Sequence, residues 1–307
     1  MESFMRVSVI LPTYRREGLL CQTIDHVLKQ DFPDFELLVL DQSPTHEMET
    51  KRFLDSVASH ISYILLEKPG VVAACNEGVR NAGGEILLFI DDDIAIPDSK
   101  LLQCHVRNYQ DPHIGGVAGK ILDAADPVEG IYNSYSLNWK WGFLQTRCDH
   151  NMRAETVTAQ GANMSFRKSV ILEVGGFDEN YDGNGFRWET DFCYRLKKNG
   201  FQTIYDPDAL VLHHFNSPGG NENLNLFGRS SQSHEWHHSF FKNTFYFFLK
   251  NIGGAAFLSL IWGQYRSHVM NRPYIKEGLG FEIARHRVFF KGLRDGIATY
   301  LSWKNKS

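Results

Sequence analysis

Residues 87–98 read LLFIDDDIAIPD, and the apolar run from Ile86 to Ile90 ends there on three consecutive carboxylates, Asp91, Asp92 and Asp93. A short apolar run bounded in this way is the pattern of a buried strand, whose end desolvates at least one of the acids. Three adjacent negative charges repel one another, so a positive partner is expected beside them. A metal ion or a helix N-terminus would supply it, but solvent would serve if the triplet only caps the next helix at the surface. The triplet alone leaves both readings open.

The preceding residues give the triplet a place in a fold. VSVILP at 7–12, FELLVLD at 35–41, ISYILL at 61–66 and EILLFID at 85–91 read as strands, separated by helical stretches at 17–29, 46–59 and 71–82. Near-continuous apolar strands alternating with helices in a βαβαβαβ series mark a parallel sheet covered on both faces. Ligands of such sheets sit beyond the carboxyl ends of the strands. Pro12, Thr13, Asp41 and Asp91 to Asp93 fall at those ends and are expected to converge on one crevice.

From about residue 100 to 220 the pattern is mixed. IGGVAGKIL, ANMSFRK and LVLHH read as strands, VGGFDENYDGNG as a Gly-rich loop, and 188–199 as a helix. No linker is long enough to separate another domain. After residue 220 the chain turns helical and aromatic, FFKNTFYFFLKNIGGAAFLSLIWGQY, with Lys242, Lys250, Asn251, Gly253 and Gly254 interrupting the apolar run. Two buried amphipathic helices are expected there rather than one spanning helix. The expected division is a catalytic domain over 1–220, with halves of about 1–100 and 100–220, and a helical extension over 221–307.

Composition narrows the class. The chain has 307 residues, 43% of them hydrophobic and 22% charged, which fits an ordinary globular protein. A net charge of only −4 gives no electrostatic footprint for nucleic acid. Five well-separated cysteines without a CxxC pair indicate free thiols in a reducing compartment. The N-terminal apolar run breaks at Pro12 and reads as a first strand, not a signal peptide, so a cytoplasmic protein is expected. Charge is uneven: residues 264–307 carry nine Lys/Arg against three acids, so +6 there and −10 over the rest. Aromatics followed by such a tail suit peripheral contact with an anionic inner leaflet.

The ordered blocks VSVILPTYRR, LLVLDQS, KPGVVAACNEGVRNAGGEILLFIDDDI, QGANMSFRKSVILEVGGFDE, WETDFCYRLKKNG and DPDALVLHH strongly resemble the family 2 glycosyltransferases over residues 6–215. The resemblance implies a glycosyltransferase A fold: a Rossmann-like, nucleotide-binding mixed sheet flanked by helices. It implies a nucleotide diphosphate sugar donor, UDP favoured, and a saccharide or lipid-linked saccharide acceptor, in polysaccharide or glycolipid synthesis. Pro12, Thr13, Asp41, Asn76, Asp91 and Asp92 then fall on the nucleotide-sugar side. The DxD pattern of the family maps onto Asp91 and Asp93, which with His213 would hold Mn²⁺ or Mg²⁺. Glu189 aligns with the base of an inverting displacement, with Asp191 a second candidate. Gly161, Asn163, Asp178 and Trp188 fall on the acceptor side.

Each of these residues has a plainer reading. Pro12 and Thr13 could end a strand, Asp41 could cap a helix, Asp178 could serve a turn, and Glu189 and Asp191 could favour a helix N-terminus. His213 could be structural, and His214 follows it directly. Two positions depart from the family: Trp188 replaces an acid, and Cys75 stands where many relatives have Arg. The altered WETD block keeps open a non-catalytic sugar-binding protein on the same fold. A separate motif, HEWHH at 234–238, matches the zinc-protease pattern through His234, Glu235 and His238, without a third ligand or a zincin context.

Overall fold

The structure, a computed structural model, describes residues 5–127, 136–138, 143–145, 149–214, 234–253, 256–270 and 279–306. Its first part follows the apolar periodicity closely: β1 (Val7–Thr13), α1 (Gly18–Leu28), β2 (Phe35–Asp41), α2 (Met48–Val57), β3 (Ser62–Leu65), α3 (Val71–Asn81) and β4 (Ile86–Ile90). All five residues of β4 are buried, as a run without polar alternation requires when helices cover both faces.

Then come β5 (Ile94–Ala95), α4 (Leu101–Val106), a 3₁₀ turn (Arg107–Gln110), β6 (Ile114–Asp123), the short hairpin β7 (Ser136–Asn138) and β8 (Phe143–Gln145), β9 (Ala154–Thr156), β10 (Asn163–Arg167), α5 (Lys168–Val174), α6 (Trp188–Lys198) and β11 (Gln202–His213). The main sheet runs β3-β2-β1-β4-β10-β6-β11-β5, with β9 also on β11. β1 to β4 pair in parallel, whereas β10 is antiparallel to both β4 and β6. The sheet is therefore mixed, and it is flanked by helices.

The last strand is longer than the apolar stretch at 210–214 indicates. Its register against β6 shifts between Asp206 and Leu210, where Asp-Pro-Asp breaks the alternation. Arg107 holds this irregularity, donating to Asp206 at 2.8 Å, while Asn108 Nδ2 donates to Asp206 at 2.7 Å. Strand pairing thus continues across a sequence that reads as a break.

Among the described residues three helices follow: α7 (His234–Asn251), α8 (Ala256–His268) and α9 (Leu279–Lys304). Tyr246, Phe247, Phe248 and Leu260 join the same buried core as the sheet. Phe240, Phe241, Phe245, Val269 and Phe289 form a second core between the helices themselves. Among the described residues no helix is long and apolar enough to cross a membrane.

Candidate active site

The turn after β4 is folded back by β5, whose Ile94 pairs with His213 and Ala95 with Leu212 at the end of β11. A further bond, from His214 N–H to the Asp93 carbonyl at 2.9 Å, fixes the turn. His213 Nε2 consequently lies 3.2 Å from Asp91 Oδ2 and 3.3 Å from Asp93 Oδ1. Burial opposes protonation of His213, but its bond to Asp91 and the charges of both acids raise its pKa above the ordinary value. One ligand atom from each of the three residues lies within 4.8 Å of the others. Two carboxylate oxygens and an imidazole nitrogen form a donor set that fits Mn²⁺ or Mg²⁺. Of the two adjacent histidines, His213 is the one that joins this cluster.

The middle acid turns the other way. Asp92 accepts a bond from Thr13 Oγ1 at 2.6 Å and from Arg16 Nε at 3.2 Å. Burial, reinforced by the charge of Asp93, pushes its pKa to about 7 against the pull of Arg16 and Thr13. Arg16 also donates to Asp93 Oδ2 at 2.7 Å and is itself buried. This guanidinium supplies positive charge to the triplet, and sequence reasoning missed it. The signal was available: two arginines follow the first strand end, and three adjacent carboxylates at the end of a buried strand called for a cation.

At the neighbouring strand end, Thr13 and Asp41 are register partners. Asp41 is fully buried and accepts bonds from Ser43 N–H at 2.8 Å, His46 Nε2 at 2.6 Å and the Tyr63 hydroxyl. It serves this network and not a helix cap, since α2 starts only at Met48. A cleft of about 570 Å³ opens beside it, lined by His46, Lys51, Leu54, Tyr63 and Leu65 among others. Pro12, one residue before Thr13, is half-buried.

Glu189 enters from α6. Its Oε1 accepts a bond from Gly161 N–H at 3.2 Å. A β-carbon at Gly161 would lie 3.5 Å from the Trp188 ring, 3.6 Å from Glu189 Oε1 and 3.8 Å from Asp91 Oδ1, so Gly161 marks where these three side chains approach one another. Burial pushes the pKa of Glu189 to about 7, against the Gly161 bond, and the charge of Asp91 adds to the rise. A carboxyl group poised near neutrality beside a cation-capable cluster suits proton transfer. Cys75 is buried nearby, and burial holds it as a neutral thiol.

Several expected site residues are placed differently. Asp191 lies two positions beyond Glu189, and residues two apart on a helix do not share a face. It is fully buried, accepting from Tyr181, Arg195, Lys250 and Asn251 at 2.8–3.0 Å. Asp178 accepts from Tyr246 and Lys250, both at 2.6 Å. These two acids anchor α7, a role that depends on partners some 60–70 positions away and is invisible in local sequence. Asn163 is also fully buried: its Nδ2 donates to the Lys120 and Ala209 carbonyls, and its Oδ1 faces His105 Nε2. Asn76 ties α3 to the Gly-rich loop, donating to Phe177 O and accepting from Phe177 N–H. Trp188 is buried edge-on against Phe177. Within HEWHH, His238 Nε2 bonds Asp295 at 2.8 Å, and the side chains of His234 and Glu235 lie outside the described residues. Among the described residues, Asp91, Asp93 and His213 are the one such group placed to hold a metal.

The mixed sheet flanked by helices, with an acid and imidazole cluster beyond its strand ends, is a glycosyltransferase A fold. Over 98% of this chain and 88% of the other, the fold matches the mannosyltransferase PcManGT from Pyrobaculum calidifontis, solved with GDP-Man and Mn²⁺, with a TM-score of 0.58 at 18% identity. The model of the family described as Glycosyl transferase family 2 matches residues 8–175. The chain is 26% identical over 238 residues to the uncharacterized glycosyltransferase YwdF of Bacillus subtilis, covering 74% of this chain and 81% of that one. It is also 26% identical over 221 residues to the glucosyl-dolichyl phosphate glucuronosyltransferase of Haloferax volcanii, covering 68% and 69%. The chain belongs to glycosyl transferase family 2, a family of enzymes.

Proposed function

We propose that the chain transfers a glycosyl group from a nucleoside diphosphate sugar, UDP favoured, to a hydroxyl of a saccharide or lipid-linked saccharide. The observation that carries this reading is the approach of both Glu189 and Asp91 to Gly161, with Asp93 and His213 completing the cluster that contains Asp91. Asp91, Asp93 and His213 would hold a divalent cation, which when bound offsets the negative charge gathering on the leaving diphosphate. Asp41, with Pro12 and Thr13, would receive the nucleoside, and Arg16 keeps Asp92 and Asp93 oriented.

The chemistry assigned to Glu189 rests on its place beside Gly161 and Asp91 and on the burial that raises its pKa. The ionised carboxylate takes the acceptor hydroxyl proton as the acceptor oxygen bonds to the anomeric carbon, and the anomeric carbon–oxygen bond to the diphosphate breaks with its electron pair on the diphosphate. One direct displacement inverts the anomeric centre. The Haloferax relative, named for transfer onto a dolichyl phosphate-linked sugar, supports a lipid-linked acceptor. The bound GDP-Man and Mn²⁺ of the structural neighbour support a nucleotide-sugar donor and a divalent cation. We place the enzyme in the cytoplasm, at the inner leaflet.

The test is donor hydrolysis and transfer across UDP, dTDP and GDP sugars with Mn²⁺ or Mg²⁺, for the wild type, Asp93→Ala and Glu189→Gln. Metal-dependent turnover lost in both variants is the expected result. Saccharide or nucleotide-sugar binding by the wild type without turnover on any donor would instead establish the non-catalytic sugar-binding protein.

A further inference from the structure

We propose that the outer face of α8 and α9 is a docking surface for an anionic lipid bilayer. This deepens the inner-leaflet placement made above by naming the surface, and it does not depend on which sugar is transferred. A β-carbon at Gly292 would lie 2.6 Å from Phe241 Cβ, and one at Gly296 would lie 2.7 Å from the Lys242 carbonyl, so these two glycines let α9 lie directly on α7. At 100° per residue, positions 283, 287, 290, 294 and 301 fall within one narrow stripe, roughly opposite Gly292.

That stripe points away from the body of the protein, and its composition is unusual for a solvated face. Ile283, Phe290 and Leu301 are 46%, 55% and 52% exposed, and Arg287 and Arg294 alternate with them. On α8, Leu258 and Trp262 are one helical turn apart and 74% and 55% exposed, while Leu260, Gly263 and Gln264 are buried on the other side. Tyr265 joins the two helices, with ring centroids 6.1 Å from Trp262 and 6.1 Å from Phe290. Trp262, Tyr265 and Phe290 thus form an apolar patch that bridges the two helices, with Ile283 and Leu301 on the same stripe of α9 to either side. Single exposed apolar side chains need no explanation, but a cluster shared by two helices does.

Charge selects the occupant. Among the described residues, the exposed charged side chains on α8 and α9 are Arg266, Arg287, Lys291, Arg294 and Lys304, all cationic. Of the two acids on α9, Asp295 is partly covered and engaged by His238 and Arg294, and Glu282 stands in the first turn, about 100° around the helix from Ile283. Aromatic and aliphatic side chains flanked by Arg and Lys match a bilayer interface, where rings sit at headgroup level and cations meet anionic lipid. A second copy of this chain would bring the same cations against one another, so the bilayer is favoured over self-association. The stripe on α9 from Ile283 to Leu301 extends about 27 Å, long enough to lie flat on such a surface.

The experiment is flotation of the full chain with phosphatidylcholine vesicles and with vesicles containing phosphatidylglycerol, at low and high salt. The variants are Trp262→Ser with Phe290→Ser, and Arg287→Glu alone, with thermal unfolding as the control for folding. Binding to the anionic vesicles only, weakened by salt, reduced at least tenfold in the double variant and about fivefold or more in Arg287→Glu, is the expected result. Donor turnover with a water-soluble acceptor should stay unchanged in these variants, which separates loss of docking from loss of chemistry. Absence of binding to anionic vesicles, or binding indifferent to all three substitutions, would overturn the proposal. A dimer dispersed by the double variant, without vesicle binding, would assign the patch to a second copy.

Discussion

Two groups of carboxylates in this molecule are put to opposite uses. Asp91 and Asp93 keep oxygens turned toward His213 in a half-open cluster. Asp178 and Asp191 are sealed under α7, each carrying a bond from Lys250. Sequence spacing does not separate the two uses, because acids crowd both stretches. What separates them is the partner that the fold delivers: a histidine shared by both acids in one case, a buried lysine shared by both acids in the other. Glu189 belongs to neither group. It stands on the helix that carries Asp191, yet faces the cluster that contains Asp91.

The contrast gives predictions that differ in kind as well as size. Glu189→Gln is expected to lower turnover by roughly 10²- to 10⁴-fold, the range of a lost general base. In the wild type, turnover should rise with pH through about 7, because the base must be ionised and burial holds its pKa there. A variant with an unchanged pH profile would remove Glu189 from its role. The same variant should unfold at a higher temperature than the wild type above pH 7. With the folded pKa raised above the unfolded one, the wild type loses stability as pH rises from about 4.5 to about 7, and glutamine does not.

Lys250→Met should do the reverse, acting first on stability. It strips Asp178 and Asp191 of a buried cation, a loss expected to cost about 3–5 kcal/mol. Chemical denaturation measures it, and a cost under about 1 kcal/mol would show that the two acids are not anchored as described. Burial works against ionisation of Asp178, but Lys250 and Tyr246 outweigh it and hold its pKa below the ordinary value. Its contribution to stability is therefore present at neutral pH and lost as the pH falls below the ordinary carboxylate range. Acid unfolding of the wild type should shift toward neutral pH in Tyr246→Phe.

The smallest effect is expected at Tyr63→Phe, which removes one of the three bonds to Asp41. A stability loss of about 1–2 kcal/mol is anticipated from a missing bond to a charged acceptor. If Asp41 serves the nucleoside, KM for the donor should change while kcat stays within a few-fold; a change confined to kcat would place Asp41 elsewhere.

The first ninety residues were legible because their signal is local. Uninterrupted apolar runs and intervening helical stretches specify β1 to β4, and the turn after β4 follows from the acids themselves. Arg16 was not assigned, although the charge of the triplet called for it. The stretch after residue 100 resisted reading for a physical reason: Asp178, Asp191 and Asn163, like Asn76 before them, take their meaning from partners 43–101 positions away, which no periodicity reveals. The two-residue offset between Glu189 and Asp191 was the one local clue that both could not face the same crevice. Strand β11 was read short because Asp-Pro-Asp looks like a terminus, while pairing resumes beyond it.

The most direct test of the central claim, that one group of acids is turned to a ligand and the other to the fold, is titration of Mn²⁺ with a nucleoside diphosphate present, followed calorimetrically. The account predicts that the wild type binds the ion, that Asp93→Asn and His213→Ala lose it, and that Asp191→Asn retains it wherever it remains folded. Mn²⁺ binding in Asp93→Asn equal to that of the wild type would contradict it.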